Sequence, residues 1–299
     1  MKVGSKISVI MCTYNQEKYI AQAIESVLMQ QCNVSFELLI GDDCSNDNTK
    51  SVINEYALKY PEIIYPIFND HNLGASNNIV QLIKRARGEM ISICDGDDFW
   101  IDNKTLQKQW DVISSDSGYG MVCAKAKKYN ESEKQFSGVL GSSIAESLEE
   151  MLLTNSDVAA PTIAFKTDLL RKCIEESSWY IRNNCFYDSI IAYWFAYNSK
   201  IKFIDEELAA YRVLPESACH SQSPELQLAH QRRYFSVKWR FILEHNLPVD
   251  FTHEMLLTDY NQTVDESKYF GEVQVRNSKR YKLGEFVFKI IKRKQSPRL

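Results

Sequence analysis

The stretch EMISICDGDDFW, residues 89–100, decides how the chain is read. A run of apolar and β-branched residues stops at three carboxylates packed into four positions, Asp95, Asp97 and Asp98. Like charges this close repel, so the cluster is either a solvated turn or the seat of something positive. Upstream, three more apolar runs end in the same abrupt way: KISVIMCTYN (6–15), FELLIGDDCSNDNT (36–49) and IIYPIFND (63–70). Each has the composition of a buried strand closed by a polar turn. Between them lie segments with helical spacing. In EKYIAQAIESVLMQQ (17–31), Ile20, Ala23, Ile24, Val27 and Leu28 share one face. TKSVINEYALKY (49–60) is closed by Pro61, and NNIVQLIKRARG (77–88) carries Gly88 as its expected C-cap.

Four strands alternating with three helices predict a parallel α/β sheet covered by helices. In open sheets of this kind ligands bind at the carboxyl ends of the strands. The clusters TYNQE, DDCSND and DGDD all fall there, and three independent solvated turns on one edge are a poor explanation for them.

Composition narrows the chemistry. The 299 residues are 44% hydrophobic and 25% charged, with a net charge of −4, which disfavours a generic nucleic-acid binder. The chain is long enough for one main domain with a smaller appended piece. No G-x-G-x-x-G and no G-x-x-x-x-G-K-[ST] occurs, so a nicotinamide or P-loop phosphate cradle is not expected. A phosphorylated ligand would instead be neutralised by a hard cation at Asp97, since Mg²⁺ and Mn²⁺ take oxygen ligands and share them with phosphates. The eight cysteines form no C-x-x-C pair, and the reading is of reduced, buried thiols. The first apolar run, ISVIMC, is too short for an export signal, and a cytoplasmic location is expected.

Four segments in this order, SVIMCTYNQEKYIAQAIESVLMQ, FELLIGDDCSNDNT, NLGASNNIVQLIKRARGEMISICDGDDFW and FYDSIIAYWFA with KIKFIDEELAAYR, resemble the family-2 glycosyltransferases. These are inverting enzymes of the GT-A fold, and the resemblance covers roughly residues 6–220. It implies nucleotide contacts at Thr13, Asn15 and Glu17, and a hydrogen bond from a uracil base to Asp43. Asp95 would approach the ribose or sugar, and Asp97, with Asp98 in support, would hold Mn²⁺ or Mg²⁺ on a diphosphate. Asp188 matches the family's base, although relatives often carry Glu-Asp where this chain has Tyr187-Asp188. An N-cap at the start of a helix is the plainer reading of Asp188. In YRVLPESACHS (211–221), His220 is a metal or phosphate contact or an ordinary surface residue. Arg212 either reaches phosphate oxygens or pairs with Glu206 or Glu207. Trp179, Tyr180, Phe186 and Tyr187 stack on sugar rings or pack in the core. APTIAFKTDLL (160–170) resembles the segment that lines the acceptor site.

The expected division is a GT-A domain over 1–220, its nucleotide half ending near 110, and a helical extension over 221–299. SPELQLAHQRRYFSVKWRFILEHN (223–246) reads as a helix with Ser223 as cap and Pro224 in its first turn. Residues 275–299 hold nine Lys or Arg against one Glu. Such a basic amphipathic segment suits an anionic membrane surface or, alternatively, packs on the main domain. The function expected is transfer of a sugar from a UDP-sugar to a saccharide, often lipid-linked, in polysaccharide assembly. The alternative is a non-catalytic nucleotide-sugar binder or scaffold.

Overall fold

The structure, a computed structural model, describes residues 5–154, 158–183, 188–214 and 237–247. It falls into two compact units. The first comprises Met1–Leu148 and Ser156–Pro215, and the second Glu149–Asn155 and Glu216–Leu299.

The first unit opens with β1 (Ile7–Thr13), α1 (Ile20–Leu28), β2 (Phe36–Asp42), α2 (Thr49–Lys59), β3 (Ile64–Phe68), α3 (Ala75–Arg85) and β4 (Met90–Ile93). The four strands lie in the order β3-β2-β1-β4, all parallel. Ile7, Val9, Met11, Leu38 and Ile40 are fully buried beneath Ile20, Ala23, Ile24 and Val27 of α1. Burial of each large aliphatic side chain contributes about 1.5–3 kcal/mol. Pro66 sits within β3, which forms the edge of the sheet, where a missing N–H donor is tolerated.

The chain builds β2 and β3 on one side of β1 and then returns to place β4 on the other. That reversal opens a crevice at the carboxyl ends of β1 and β4, the position at which such sheets take ligands.

The second half of the sheet is mixed. β5 (Phe99–Trp100), α4 (Thr105–Ser115), β6 (Tyr119–Asn130) and β7 (Gln135–Leu140) come first, then α5 (Leu148–Thr154) of the second unit. β8 (Ala164–Lys166), α6 (Thr167–Glu176), α7 (Ser178–Arg182), α8 (Asp188–Asn198) and β9 (Lys200–Val213) complete the order. From β4 the sheet continues β8-β6-β9-β5, with β7 added to β6. Of these pairings only β6 with β9 is parallel.

The third helix ends at Arg85 with Ala86 as its cap, so Gly88 does not close it. A Cβ at Gly88 would stand 2.5 Å from the Ser8 nitrogen. Glycine is there to let the chain pass against β1. This corner is pinned by Glu37, whose carboxylate accepts from Ser8 Oγ at 2.7 Å, Arg87 N at 2.9 Å and Arg87 Nε at 2.8 Å. It lies at the amino ends of β1 and β2, opposite the crevice.

In the second unit residues 237–244 are helical, with Val237, Phe241 and Ile242 buried. His220, Ser223, Pro224 and the basic segment 275–299 lie outside the described residues, as do Cys185, Phe186, Tyr187 and Cys219. The six described cysteines are free thiols. Among the described residues no helix is long and apolar enough to cross a membrane.

Candidate active site

Three loops converge on the crevice. The first follows β1, where Asn15 adopts a positive φ of 53°. Its Oδ1 accepts from Asn46 N at 2.8 Å, and its own N–H donates to Ser45 Oγ at 2.8 Å. Glu17 Oε2 accepts from Asn48 N and Nδ2 at 2.9 and 2.8 Å. Both side chains are thus engaged with the loop after β2. Thr13 is buried, and its hydroxyl has no partner among the described residues.

The second loop carries Asp43, which is buried and ties itself to the loop before α3. Oδ1 accepts from Asn69 Nδ2 at 2.9 Å and Leu73 N at 2.8 Å, and Oδ2 from Gly74 N at 2.9 Å. A carboxylate has about four lone-pair positions, so one remains for a ligand. Asn69, Asn78 and Gln81 extend this into a polar network that fixes the loop.

The third is the DGDD turn after β4. Asp98 N–H donates to Asp95 O at 3.1 Å, and Gly96 N–H to Cys12 O at 2.9 Å. A Cβ on Gly96 would lie 2.5 Å from Gln16 Oε1 and 2.9 Å from Thr13 Oγ1. Those two buried oxygens are both unpartnered and flank the turn.

Burial raises all three carboxylates. Asp95 is pushed up to about 7, by burial first, then by the charge of Asp97 and that of Asp188. Asp97 is raised by burial, against its own N–H, Arg212 and a hydrogen bond from Gln16. Asp98 is driven well up by burial and by Asp97. Asp188, exposed in the first turn of α8, is therefore close enough for Asp95 to feel its charge. Ser189 N–H donates to Asp188 Oδ1 at 2.8 Å.

Arg212 lies beneath the turn and is 4% exposed. Its N–H donates to Asp98 Oδ1 at 2.8 Å, its Nε to Asp97 O at 2.6 Å, and its Nη2 to Gln22 Oε1 at 2.6 Å. Nη1 pairs with Glu131. Glu206 and Glu207, the alternative partners offered by the sequence, go instead to Lys108 at 2.6 Å and Lys127 at 2.8 Å. Tyr19, Phe99 and Tyr129 surround the guanidinium, with centroids at 4.8, 5.1 and 5.3 Å. Neither Gln22 nor Glu131 had a signal in the sequence. On the expected acceptor side Tyr180 is buried and packs edge-on against Trp179, which is half-buried.

Among the described residues no three His, Cys, Asp or Glu side chains are grouped to hold a metal ion. One oxygen of Asp98 is already committed to Arg212. The donors present do not make an all-protein cage. They do fit a hard divalent cation that takes one carboxylate, Asp97, and draws its other ligands from a diphosphate and water.

The profile described as Glycosyl transferase family 2 matches residues 8–173, more than half of the chain. The chain belongs to glycosyl transferase family 2. TarS of Staphylococcus aureus, a poly(ribitol-phosphate) beta-N-acetylglucosaminyltransferase, is 31% identical over 171 residues, 56% of this chain and 28% of that protein. An uncharacterised protein of Mycobacterium tuberculosis is 39% identical over 103 residues, 34% of this chain. That match spans only 30% of the length of the relative. Among solved structures, TarS 1–349 in complex with UDP-GlcNAc superposes with a TM-score of 0.56 at 18% identity, covering 98% of this chain and 93% of that one. A Pyrobaculum calidifontis mannosyltransferase in complex with GDP-Man and Mn²⁺ gives 0.51 at 14% identity, with coverage of 94% and 83%. These likenesses establish the GT-A α/β fold for this family-2 member.

Proposed function

We propose that the chain transfers a hexose or N-acetylhexosamine, with inversion, from a UDP-sugar to a hydroxyl of a saccharide acceptor. The observation that carries the reading is the grouping of Asp95 and Asp97 in the turn after β4, with the charge of Asp188 reaching Asp95. Asp43 keeps one acceptor position for a base N–H, and the buried Thr13 hydroxyl lies beside Gly96 of the DGDD turn. Asn15 and Glu17 hold the nucleotide loop in shape through the residue 45–48 loop. Asp95 lies on the sugar side. Asp97 would hold Mn²⁺ or Mg²⁺ together with the diphosphate, and such an ion supplies charge stabilisation to the departing nucleotide. Asp98 supports the turn from below.

Asp188 is the base. It is exposed, so an incoming hydroxyl reaches it, and its carboxylate takes the proton as the acceptor oxygen attacks the anomeric carbon. Attack from the face opposite the leaving group gives a β-linkage from an α-linked donor. The acceptor proposed is a lipid-linked glycan in polysaccharide assembly. The basic segment 275–299 would then rest on the anionic inner face of the membrane. His220 remains a candidate contact to the metal or diphosphate.

Calorimetric binding of UDP and acceptor-dependent sugar transfer, each with Mn²⁺ and with EDTA, test this reading. Asp97→Asn is expected to abolish the metal-dependent part of UDP binding. Asp188→Asn should leave UDP binding within about twofold and lower transfer by roughly 10²–10⁴-fold, the usual contribution of a general base. Equal loss of UDP binding in both variants would remove Asp188 from its role.

A further inference from the structure

A buried arginine beside a site that must accept a cation is a liability unless its charge is cancelled. Arg212 is such a residue, since it is the cation whose charge reaches both Asp97 and Asp98. It is enclosed by three aromatic rings, and its guanidinium is bonded to Asp97 O, Gln22 and Glu131. Its hydrogen-bonding groups are thus spent on the protein.

We infer that Glu131 is a positioning residue that masks the charge of Arg212, leaving the carboxylate field of the DGDD turn available to a divalent cation. Glu131 is the first residue of the turn between β6 and β7, and its side chain is 14% exposed. Its N–H donates to Val213 O at 3.2 Å, beside Arg212 in the β6–β9 ladder. Its carboxylate takes Arg212 on one oxygen and Lys134 on the other. Burial works against its ionisation, yet hydrogen bonds from Lys134 and Arg212 overcome this and hold Glu131 below the usual range. The pair Arg212–Glu131 fixes the main chain at Asp97 while adding no net charge to the turn. A neutral residue at 131 would keep the shape and expose one positive charge beneath the metal position. This inference rests on the metal-assisted diphosphate binding proposed above.

The test compares UDP binding by calorimetry in a Mn²⁺ titration and in EDTA for wild type, E131Q and E131D, with melting temperature as a check on folding. For E131Q the Mn²⁺ concentration at half-saturation is expected to rise about tenfold, as one unmasked charge near a dication requires. UDP binding in EDTA should not weaken, because an extra positive charge favours the diphosphate. E131D, which keeps the charge, should retain wild-type Mn²⁺ dependence. If UDP binding falls equally in Mn²⁺ and EDTA, or only the melting temperature moves, Glu131 is merely structural and the inference is overturned. Wild-type behaviour of E131Q overturns it as well. Should E131Q not fold, a folded E131D that has lost Mn²⁺ dependence would do the same. A wild type whose UDP binding ignores metal would remove the metal reading itself and this inference with it.

Discussion

At the scale of single residues, the site is shaped by close approach as much as by charge. Gly96 separates two aspartates, and a side chain there would collide with Gln16 Oε1 and Thr13. Gly96→Ala should therefore push the first loop away from the turn. The expected cost is about 1–3 kcal/mol of stability, the range for overpacking a well-filled site. UDP binding should weaken by at least about tenfold, which corresponds to 1.4 kcal/mol. Urea unfolding and calorimetry measure the two effects separately. Asp43, Asp95, Asp97 and Asp98 stand out in the sequence because carboxylates directly after apolar runs advertise themselves, whereas Asp188, which precedes its apolar run, was singled out only by the family resemblance. Gln16, Gln22 and Glu131 were not. Each acts through a partner far along the chain, and Glu131 stands 81 residues from Arg212. The side chains of Asn15 and Glu17 illustrate the opposite limit: the residue positions were readable, but their direction is set by the loop at 45–48.

Elements divide in the same way. β1 to β4 and their helices could be read because each strand is a compact apolar run and each helix shows one buried face. β6 and β9 escaped. They are long, partly exposed strands, and their pairing contains register shifts that alternation alone cannot reveal. α8 could be placed but not oriented, since Ser189–Phe195 are buried on every side and no stripe marks its inner face. The corner held by Glu37 offers a control for the site. Glu37→Ala removes the acceptor for Ser8, the Arg87 backbone and its guanidinium, although Arg87 itself is largely exposed. A loss of about 1–3 kcal/mol is expected from the buried groups left unpaired. Because this corner lies at the amino ends of the strands, UDP affinity in the folded variant should stay within about twofold, or 0.4 kcal/mol. A large change in affinity would mean that the two edges of the sheet communicate.

At the scale of the whole molecule, the binding reading and the membrane reading separate cleanly. Deleting residues 275–299 removes nine basic residues. Each is worth about 1 kcal/mol near an anionic surface, so co-sedimentation with phosphatidylserine-containing vesicles should fall sharply. UDP binding should be unchanged. Retention on vesicles after the deletion would assign the membrane role elsewhere or remove it.

The position of Arg212 also sets a timetable. A ribosome delivers Asp98 first and the residue that steadies it 114 positions later. Until then the parallel half of the sheet can form, since domains fold as their N-terminal parts emerge, but Asp98 lacks the Arg212 N–H that holds it. The crevice therefore matures last, when β9 pairs with β6 and brings the Arg212 N–H to Asp98. A nascent chain halted before residue 212 would hold most of a sheet and no working mouth.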